Sequence, residues 1–244
     1  MYFDAAAFCG HWPYYHVRNA ELEQMLERYR AVGIESGLMS SLDAVFYQDP
    51  WEADGQLVAR LAGTNWRAAM SVNPMMPWAK QLLLQGKDAG VGAVRLYPCI
   101  HDYEEDDARV VELCRLAGEL EMPVVITTRM EDRRMCYLHT QRDPDMGRIC
   151  RLAQQCEHTR FLVSNCVAAE TKQLLPLPEN LWLDTAGIRA DFFLETQQDI
   201  PQERFLFGSF APLQCINSSV CLVPESMKQQ LMSENVQAFL GCTW

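Results

Sequence analysis

Eight short apolar runs, each followed by a longer segment with helical spacing, constrain the fold of this chain more than any other feature. In the segments between the runs, apolar residues recur three and four positions apart, as in Glu21–Tyr29 and Asp107–Leu120. Strands that alternate with helices imply right-handed crossovers and a parallel sheet. Eight such units in 244 residues predict a single (β/α)8 TIM barrel, with one domain over residues 1–244. The runs are Tyr2–Ala7, Ser36–Ser41, Arg67–Val72, Ala93–Tyr97, Pro123–Thr127, Phe161–Asn165, Leu181–Thr185 and Phe205–Gly208.

An open, doubly wound sheet is the alternative arrangement of the same units. The glycine-rich loops that give such sheets their nucleotide sites, Gly-x-Gly-x-x-Gly and the Walker sequence, follow none of the runs. The sequence therefore favours the barrel. In a barrel of this kind, functional groups gather at the C-terminal ends of the strands.

Charge and composition limit the partners of the chain. With 21 basic and 32 acidic residues its formal charge is −11, so the average surface repels phosphate backbones and we expect no nucleic-acid partner. We also expect no membrane span and no signal peptide, because no run of 18 apolar residues and no basic-then-apolar start occurs. The ten cysteines include no Cys-x-x-Cys pair, which favours reduced thiols and a cytoplasmic location.

Several segments resemble one protein family. Tyr2–Gly10 resembles the opening strand of metal-dependent hydrolases of the amidohydrolase superfamily, and Glu121–Thr128 is similar to their fifth strand. The resemblance is strongest to the amidohydrolase-related (amidohydrolase 2) branch, which includes decarboxylases and lactonases. It implies an amidohydrolase-like barrel over the whole chain. Further matching segments, in the order that a barrel needs, are Val72–Pro74, Gly90–Pro98, Arg204–Pro212 and Glu234–Leu240.

The resemblance also identifies the positions at which family members hold a metal, and none of them keeps its ligand here. The first-strand histidines are replaced by Ala6 and Phe8, and those of the fifth and sixth strands by Thr127 and Asn165. Phe210 stands in place of the eighth-strand aspartate. Methyl and phenyl groups have no lone pair for a metal, and asparagine is no general base. The resemblance therefore implies a metal-free pseudoenzyme without a cofactor, with a pocket at these degenerate positions.

Other polar residues expected at the C-terminal face could act without a metal. The candidates are Arg95, Arg129, Asp184 and His101. Because Arg95 and Arg129 end adjacent strands, both guanidinium groups could bind one small anion at the barrel mouth. Alternatively, each arginine pairs with a structural carboxylate such as Asp4 or Asp184.

Three functions remain open from the sequence. The first is a barrel without metal catalysis that binds a small molecule or a protein partner. The second is a metal-independent hydrolase, lactonase or decarboxylase acting on a small carboxylated compound. The third is a structural subunit. The long connection Arg129–Asp145 is typical of a lid or a subunit contact, and the sequence leaves a homo-oligomer open.

Overall fold

The eight predicted strands form one parallel sheet that curves into a barrel. The computed structural model describes residues 1–131, 142–188 and 198–241. Within these ranges the strands pair in sequence order, from β1 beside β2 to β7 beside β8. They are β1 (Tyr2–Cys9), β2 (Ile34–Ser41), β3 (Trp66–Ser71), β4 (Ala93–Leu96), β5 (Val124–Thr127), β6 (Phe161–Ser164), β7 (Leu181–Asp184) and β8 (Phe205–Leu206).

Backbone hydrogen bonds close the barrel between its first strand and the segment that follows β8. The N–H of Ala5 donates to the carbonyl of Phe207, and the N–H of Phe210 donates to the carbonyl of Ala6, both at 2.9 Å. The N–H of Phe8 donates to the carbonyl of Ala211 at the same distance. The structure therefore confirms the predicted (β/α)8 barrel.

Helices follow the strands and cover the outside of the barrel. The two helices α5 and α6 begin at aspartates whose side chains accept a backbone N–H, Asp107 from Arg109 and Asp145 from Arg148. In the described ranges the helices are α1 (Leu22–Ala31), α2 (Trp51–Leu61), α3 (Ala79–Asp88), α4 (Pro98–His101), α5 (Ala108–Glu119), α6 (Met146–Gln155), α7 (Ala168–Thr171), α8 (Ile216–Leu222), α9 (Glu225–Gln229) and α10 (Asn235–Leu240).

The barrel interior is built in layers, because residues two apart on a strand face the same side. The lower layer is apolar and includes Leu38, Ala69, Val125 and Leu162, all buried. The C-terminal helix α10 seals it from below, where the ring of Phe239 meets that of Trp182 with centroids 5.8 Å apart. Two residues further along each strand the interior becomes polar, with buried Ser40, Ser71, Arg95, Thr127, Ser164 and Asp184. This polar layer lies directly below the C-terminal mouth.

Two of the remaining expectations concern thiols and membranes. The eight cysteines within the described ranges are free thiols. None of the helices in these ranges combines the length and the apolar character that crossing a bilayer requires.

Most of the connection Arg129–Asp145 (residues 132–141) lies outside the described residues, so its predicted role as a lid or contact stays a prediction.

Candidate functional site

Aromatic rings close the mouth of the barrel at the positions where the resemblance places metal ligands. The rings of Phe8 and Phe210 meet edge to face, with centroids 4.8 Å apart. Ala6 lies in the same apolar cluster, and all three residues are 0% exposed. The indole of Trp12, in the loop after β1, also belongs to this cluster, and its N–H donates to the Glu131 carboxylate. We call this group of rings the mouth plug.

Two of the degenerate positions have an unusual backbone. Asn165 has φ +62° and Phe210 has φ +55°, and each follows the end of a strand. Asparagine tolerates this left-handed conformation, whereas phenylalanine adopts it rarely and at a cost of roughly 1–3 kcal/mol. The backbone at Phe210 is therefore strained in the conformation that places its ring over the mouth.

Arg95 lies beneath the plug, and its bonds keep it inside the barrel. Its Nη1 donates to Thr127 Oγ1 at 3.1 Å and its Nη2 to the carbonyl of Ala5 at 3.2 Å. The guanidinium carbon stands 4.7 Å from the centroid of the Phe8 ring. No carboxylate of the described residues forms an ion pair with it, and Nε has no hydrogen-bond partner among them. Burial lowers the pKa of Arg95, while nearby Tyr97, Asp184 and Asp4 oppose that effect.

Two carboxyl groups of the barrel wall are fully buried near this arginine. Asp4 Oδ1 accepts the N–H groups of Ala6 and Ser209 at 2.8 and 3.1 Å. Asp184 Oδ1 accepts those of Asn165 and Ala186 at 3.0 and 3.1 Å. Burial raises the pKa of Asp4 to about 6 and also raises the pKa of Asp184, although these hydrogen bonds act in the opposite direction. Both carboxyls thus hold the strand ends in place and retain a proton more readily than exposed aspartates.

Arg129 points away from Arg95 and is neutralised within the protein. Its guanidinium forms a two-point ion pair with Glu170 of α7, and both side chains are 14% exposed. Its Nη1 also donates to the carbonyl of Asn165 at 3.0 Å, and the Asn165 amide donates to the carbonyl of Arg129 at 2.9 Å. The two arginines therefore have separate partners. The sequence identified Asp4 and Asp184 as possible partners of the arginines but not Glu170, 41 residues from Arg129.

His101 is placed at the edge of the mouth rather than in it. Its Nε2 lies 2.7 Å from the carbonyl of Val45, so Nε2 carries the proton and donates. Burial lowers the pKa of His101, which favours the neutral ring. Nδ1 is buried without a hydrogen-bond partner among the described residues. His101 lines a separate small pocket with Val45 and Asn73, whereas Arg129 lines the large cavity described below.

A cavity of about 940 Å³ opens beside the plug, against the ends of β5 to β8. Its lining is mainly apolar, with Met130, Ile188, Leu213 and Leu222. The polar part comprises Arg129, Glu131, Asn165, Lys172, Thr185, Gln214, Cys215, Ser218 and Ser219. Of these, the sequence predicts only Arg129 and Asn165 as pocket residues. It missed Lys172 and the segment from Leu213 to Leu222, for which the only signal was their place just after β6 and β8.

The five degenerate positions do not form a donor set for a divalent metal. These positions supply neither an imidazole nor a carboxylate. The side chains of Phe8, Phe210 and Ala6 have no donor atom. The Thr127 hydroxyl accepts from Arg95, and the Asn165 amide is bonded to the backbone and to Gln214. Across the described ranges, no group of three His, Cys, Asp or Glu side chains could hold a metal ion. The buried Asp4 and Asp184 nearby accept hydrogen bonds from backbone N–H groups.

Known structures share this architecture. A dihydroxybenzoic acid decarboxylase from Polaromonas sp. JS666, solved with manganese and 2-nitroresorcinol, has a TM-score of 0.74 at 11% identity, over 98% of this chain and 96% of that one. For 2,6-dihydroxybenzoate decarboxylase from Rhizobium the TM-score is 0.71 at 12% identity, over 98% of both chains. A probable 2-pyrone-4,6-dicarboxylic acid hydrolase from Acinetobacter baumannii with bound citric acid has a TM-score of 0.67 at 11% identity, over 98% and 99%.

No protein-family model matches the sequence, and no curated protein sequence matches it. The likeness is thus one of fold, at low identity and over nearly the full length of both chains. It bears out the fold that the resemblance implied. This chain has the barrel fold of the amidohydrolase-related decarboxylases and hydrolases.

Proposed function

We propose that this chain is an amidohydrolase-related barrel without metal catalysis, and that it binds a small carboxylated molecule. The observation that carries the proposal is the packing of Phe8 against Phe210, which fills the mouth with rings where the resemblance expects a histidine and an aspartate. A metal-activated water needs ligands that polarise it, and these rings provide none. The open, mostly apolar cavity beside the plug then becomes the binding region of the barrel.

The chemistry of the cavity supports a carboxylated ligand with an apolar body. Lys172 contributes a positive charge to the lining, whereas the charge of Arg129 is balanced by Glu170. Glu131, a lining carboxylate among the described residues, accepts the indole N–H of Trp12. The apolar walls favour a ring or short hydrocarbon body. We therefore propose the anion site beside Lys172, rather than between Arg95 and Arg129 as predicted from the sequence.

The ligands named for proteins of similar structure suggest compounds with which binding to this cavity can be tested. Two of them are named as decarboxylases of dihydroxybenzoates, and a third holds citric acid. We therefore propose 2,6-dihydroxybenzoate and citrate as first ligands, which differ in whether they have an apolar ring. We expect the aromatic acid to bind more tightly because only it can bury a ring against Ile188 and Leu213.

Calorimetric titration tests this function. Lys172→Ala should weaken binding of 2,6-dihydroxybenzoate about tenfold, as expected for loss of one charged contact. Lys80→Ala is the matched control, because Lys80 of α3 is paired with Glu112 of α5 and does not line the cavity, so its loss should leave binding unchanged. The bound acid should be recovered unaltered after long incubation. Failure of both acids to bind the wild-type protein, or equal weakening by the two variants, would show the proposed ligand site to be wrong.

The alternative, a metal-independent enzyme acting on a small carboxylated compound, rests on a different observation. Asp184 is fully buried, its pKa is raised by burial, and its Oδ2 has no hydrogen-bond partner among the described residues. A carboxyl group of this kind holds its proton more strongly than an exposed aspartate and could act as a general acid.

An assay with excess chelator separates the two functions. Carbon dioxide release from dihydroxybenzoates and hydrolysis of lactones are measured in EDTA, on wild-type protein and on Asp184→Asn. Activity that survives EDTA and disappears in Asp184→Asn supports the alternative. Absence of turnover together with ligand binding supports the non-catalytic function.

A further inference from the structure

A second, chemically different pocket lies outside the barrel wall. It has a volume of about 360 Å³ and a lining that is mostly polar. Cys9 and Ser41, paired across the ends of β1 and β2, form its floor. Its walls come from Glu21 before α1 and from Glu52 of α2. We call it the outer pocket, because these strand residues alternate with Phe8 and Ser40, which face the barrel interior.

Three carboxylates without a cationic partner line the outer pocket. Glu21 and Glu52 are exposed and form no ion pair within the described residues, and neither does Asp43. Asp43 Oδ2 accepts the N–H of His11 at 3.1 Å and lies against Gly10, whose positive φ (+98°) brings the backbone close. The one arginine of the lining, Arg60, is already paired with Glu23 at 2.6 Å. The pocket therefore has a local excess of negative charge.

A buried hydroxyl faces the same space. Ser41 is 5% exposed, lines the outer pocket, and its side chain forms no hydrogen bond with any described residue. Its position at the end of β2 directs Oγ to the helix side of the sheet, where the pocket lies. A hydroxyl without a partner at the floor of a polar pocket is a ready acceptor for a bound N–H donor. This second observation is independent of the carboxylates above it.

The positions of the carboxylates favour a ligand with several positive charges over a single metal ion. The acidic groups of the described residues do not converge on a point where one metal ion could be held. Separated carboxylates in one pocket match a ligand whose positive charges are also separated. The volume corresponds to about a dozen water molecules at roughly 30 Å³ each, enough for a short chain. We propose that the outer pocket binds a linear polyamine, with one ammonium group between Glu21 and Glu52 and another near Ser41 and Asp43.

Calorimetry with spermidine at 150 mM NaCl tests the assignment, since this ionic strength screens diffuse attraction to an acidic surface. Wild-type protein should bind one equivalent saturably. Glu52→Gln should weaken binding about tenfold and Ser41→Ala about threefold, because they remove a charged and a neutral contact. Glu35→Gln is the matched control: Glu35 is an exposed carboxylate near the start of β2, at the opposite end of the strand, and its loss should change nothing.

Three results would overturn the proposal. Equal weakening by Glu35→Gln and Glu52→Gln would show diffuse surface attraction instead of a site. Saturable binding of Ca²⁺ that depends on Glu52, without binding of spermidine, would assign the pocket to a metal. Spermidine binding that is unchanged in both Glu52→Gln and Ser41→Ala would place the amine elsewhere.

Discussion

Asp4 illustrates how one buried carboxyl group can make the stability of a barrel depend on pH. It is fully buried, and burial raises its pKa from the ordinary 3.8 to about 6. Between these values the folded protein keeps a proton that the unfolded chain has released. Folding is therefore opposed increasingly as pH rises through these values, by a total of about 3 kcal/mol.

We predict that Asp4→Asn removes this dependence. The difference in free energy of unfolding, wild type minus variant, should fall by about 2 kcal/mol between pH 4 and pH 6 and level off above pH 7. Urea denaturation at pH 4, 5, 6 and 7 measures it. Subtracting the variant cancels the contribution of Asp54, whose pKa burial also raises, and leaves of Asp184 only its coulombic coupling to Asp4. A difference that stays constant over this range would mean that Asp4 titrates near its ordinary pKa.

Phe210 allows a second test at the same scale, because its ring and its backbone have opposite effects on stability. Both Phe210→Ala and Phe210→Gly lose the packing against Phe8 and should destabilise the protein by about 3–5 kcal/mol. Ordinarily a glycine variant is the less stable of such a pair. At φ +55° glycine is relieved of strain that alanine keeps, so we predict that Phe210→Gly is about 1 kcal/mol more stable than Phe210→Ala. The reverse order would show that the backbone relaxes when the ring is removed.

Among the elements, the Arg129–Glu170 pair joins the end of β5 to α7 at the side of the cavity. Glu170 also accepts the N–H of Val167, so its carboxylate caps the start of the helix while neutralising the arginine. Because both side chains are largely buried, loss of one partner leaves a charge that water reaches poorly. The pair should hold the cavity wall in shape.

We predict that Glu170→Ala lowers the free energy of unfolding by about 2 kcal/mol, between the effects known for buried and for exposed pairs. The control is Glu112→Ala, whose partner Lys80 lies in an exposed pair with side chains 62% and 51% exposed, and which should cost under about 0.5 kcal/mol. Urea titrations at pH 7 compare them. Equal effects of the two variants would mean that the Arg129–Glu170 pair is no stronger than a surface contact.

The same elements show which features could be predicted from the sequence. Each of the eight apolar runs overlaps a strand because burial on both faces requires continuous apolar residues, as in Phe161–Ser164. The ring cluster at the mouth could be predicted, because a barrel brings the C-terminal ends of all its strands, including Phe8, to the same end. The Glu170 partner of Arg129 depends on how α7 packs, which local patterns do not contain. The cavity likewise depends on the path of the chain from Leu213 to Leu222, which the packing of this segment sets.

At the scale of the whole molecule, the barrel is filled along its axis, from the α10 seal through an apolar layer and a polar layer to the mouth plug. The polar layer contains Arg95 with Asp184 in the wall, and the plug separates these charges from the solvent above. The space that barrel enzymes keep for chemistry is thus divided here into a closed interior and a cavity at its side. Ligand binding in the side cavity and metal binding at the mouth can therefore be tested separately.

The last prediction concerns metal and follows from the side chains at the mouth. A ligand that binds only the folded protein raises its stability by RT ln(1 + [L]/Kd), so a site of micromolar affinity at 1 mM metal would add about 4 kcal/mol. Since Ala6, Phe8 and Phe210 offer no donor, we predict that 1 mM zinc or manganese leaves the melting temperature unchanged and that EDTA does not lower it. Elemental analysis of protein purified without chelator should find well below one equivalent of zinc, iron or manganese. A stoichiometric ion whose removal lowers the melting temperature would contradict this prediction. If it persists in Cys9→Ala and Asp43→Asn, which alter the outer pocket, it would place a metal inside the barrel and overturn the proposed loss of metal chemistry.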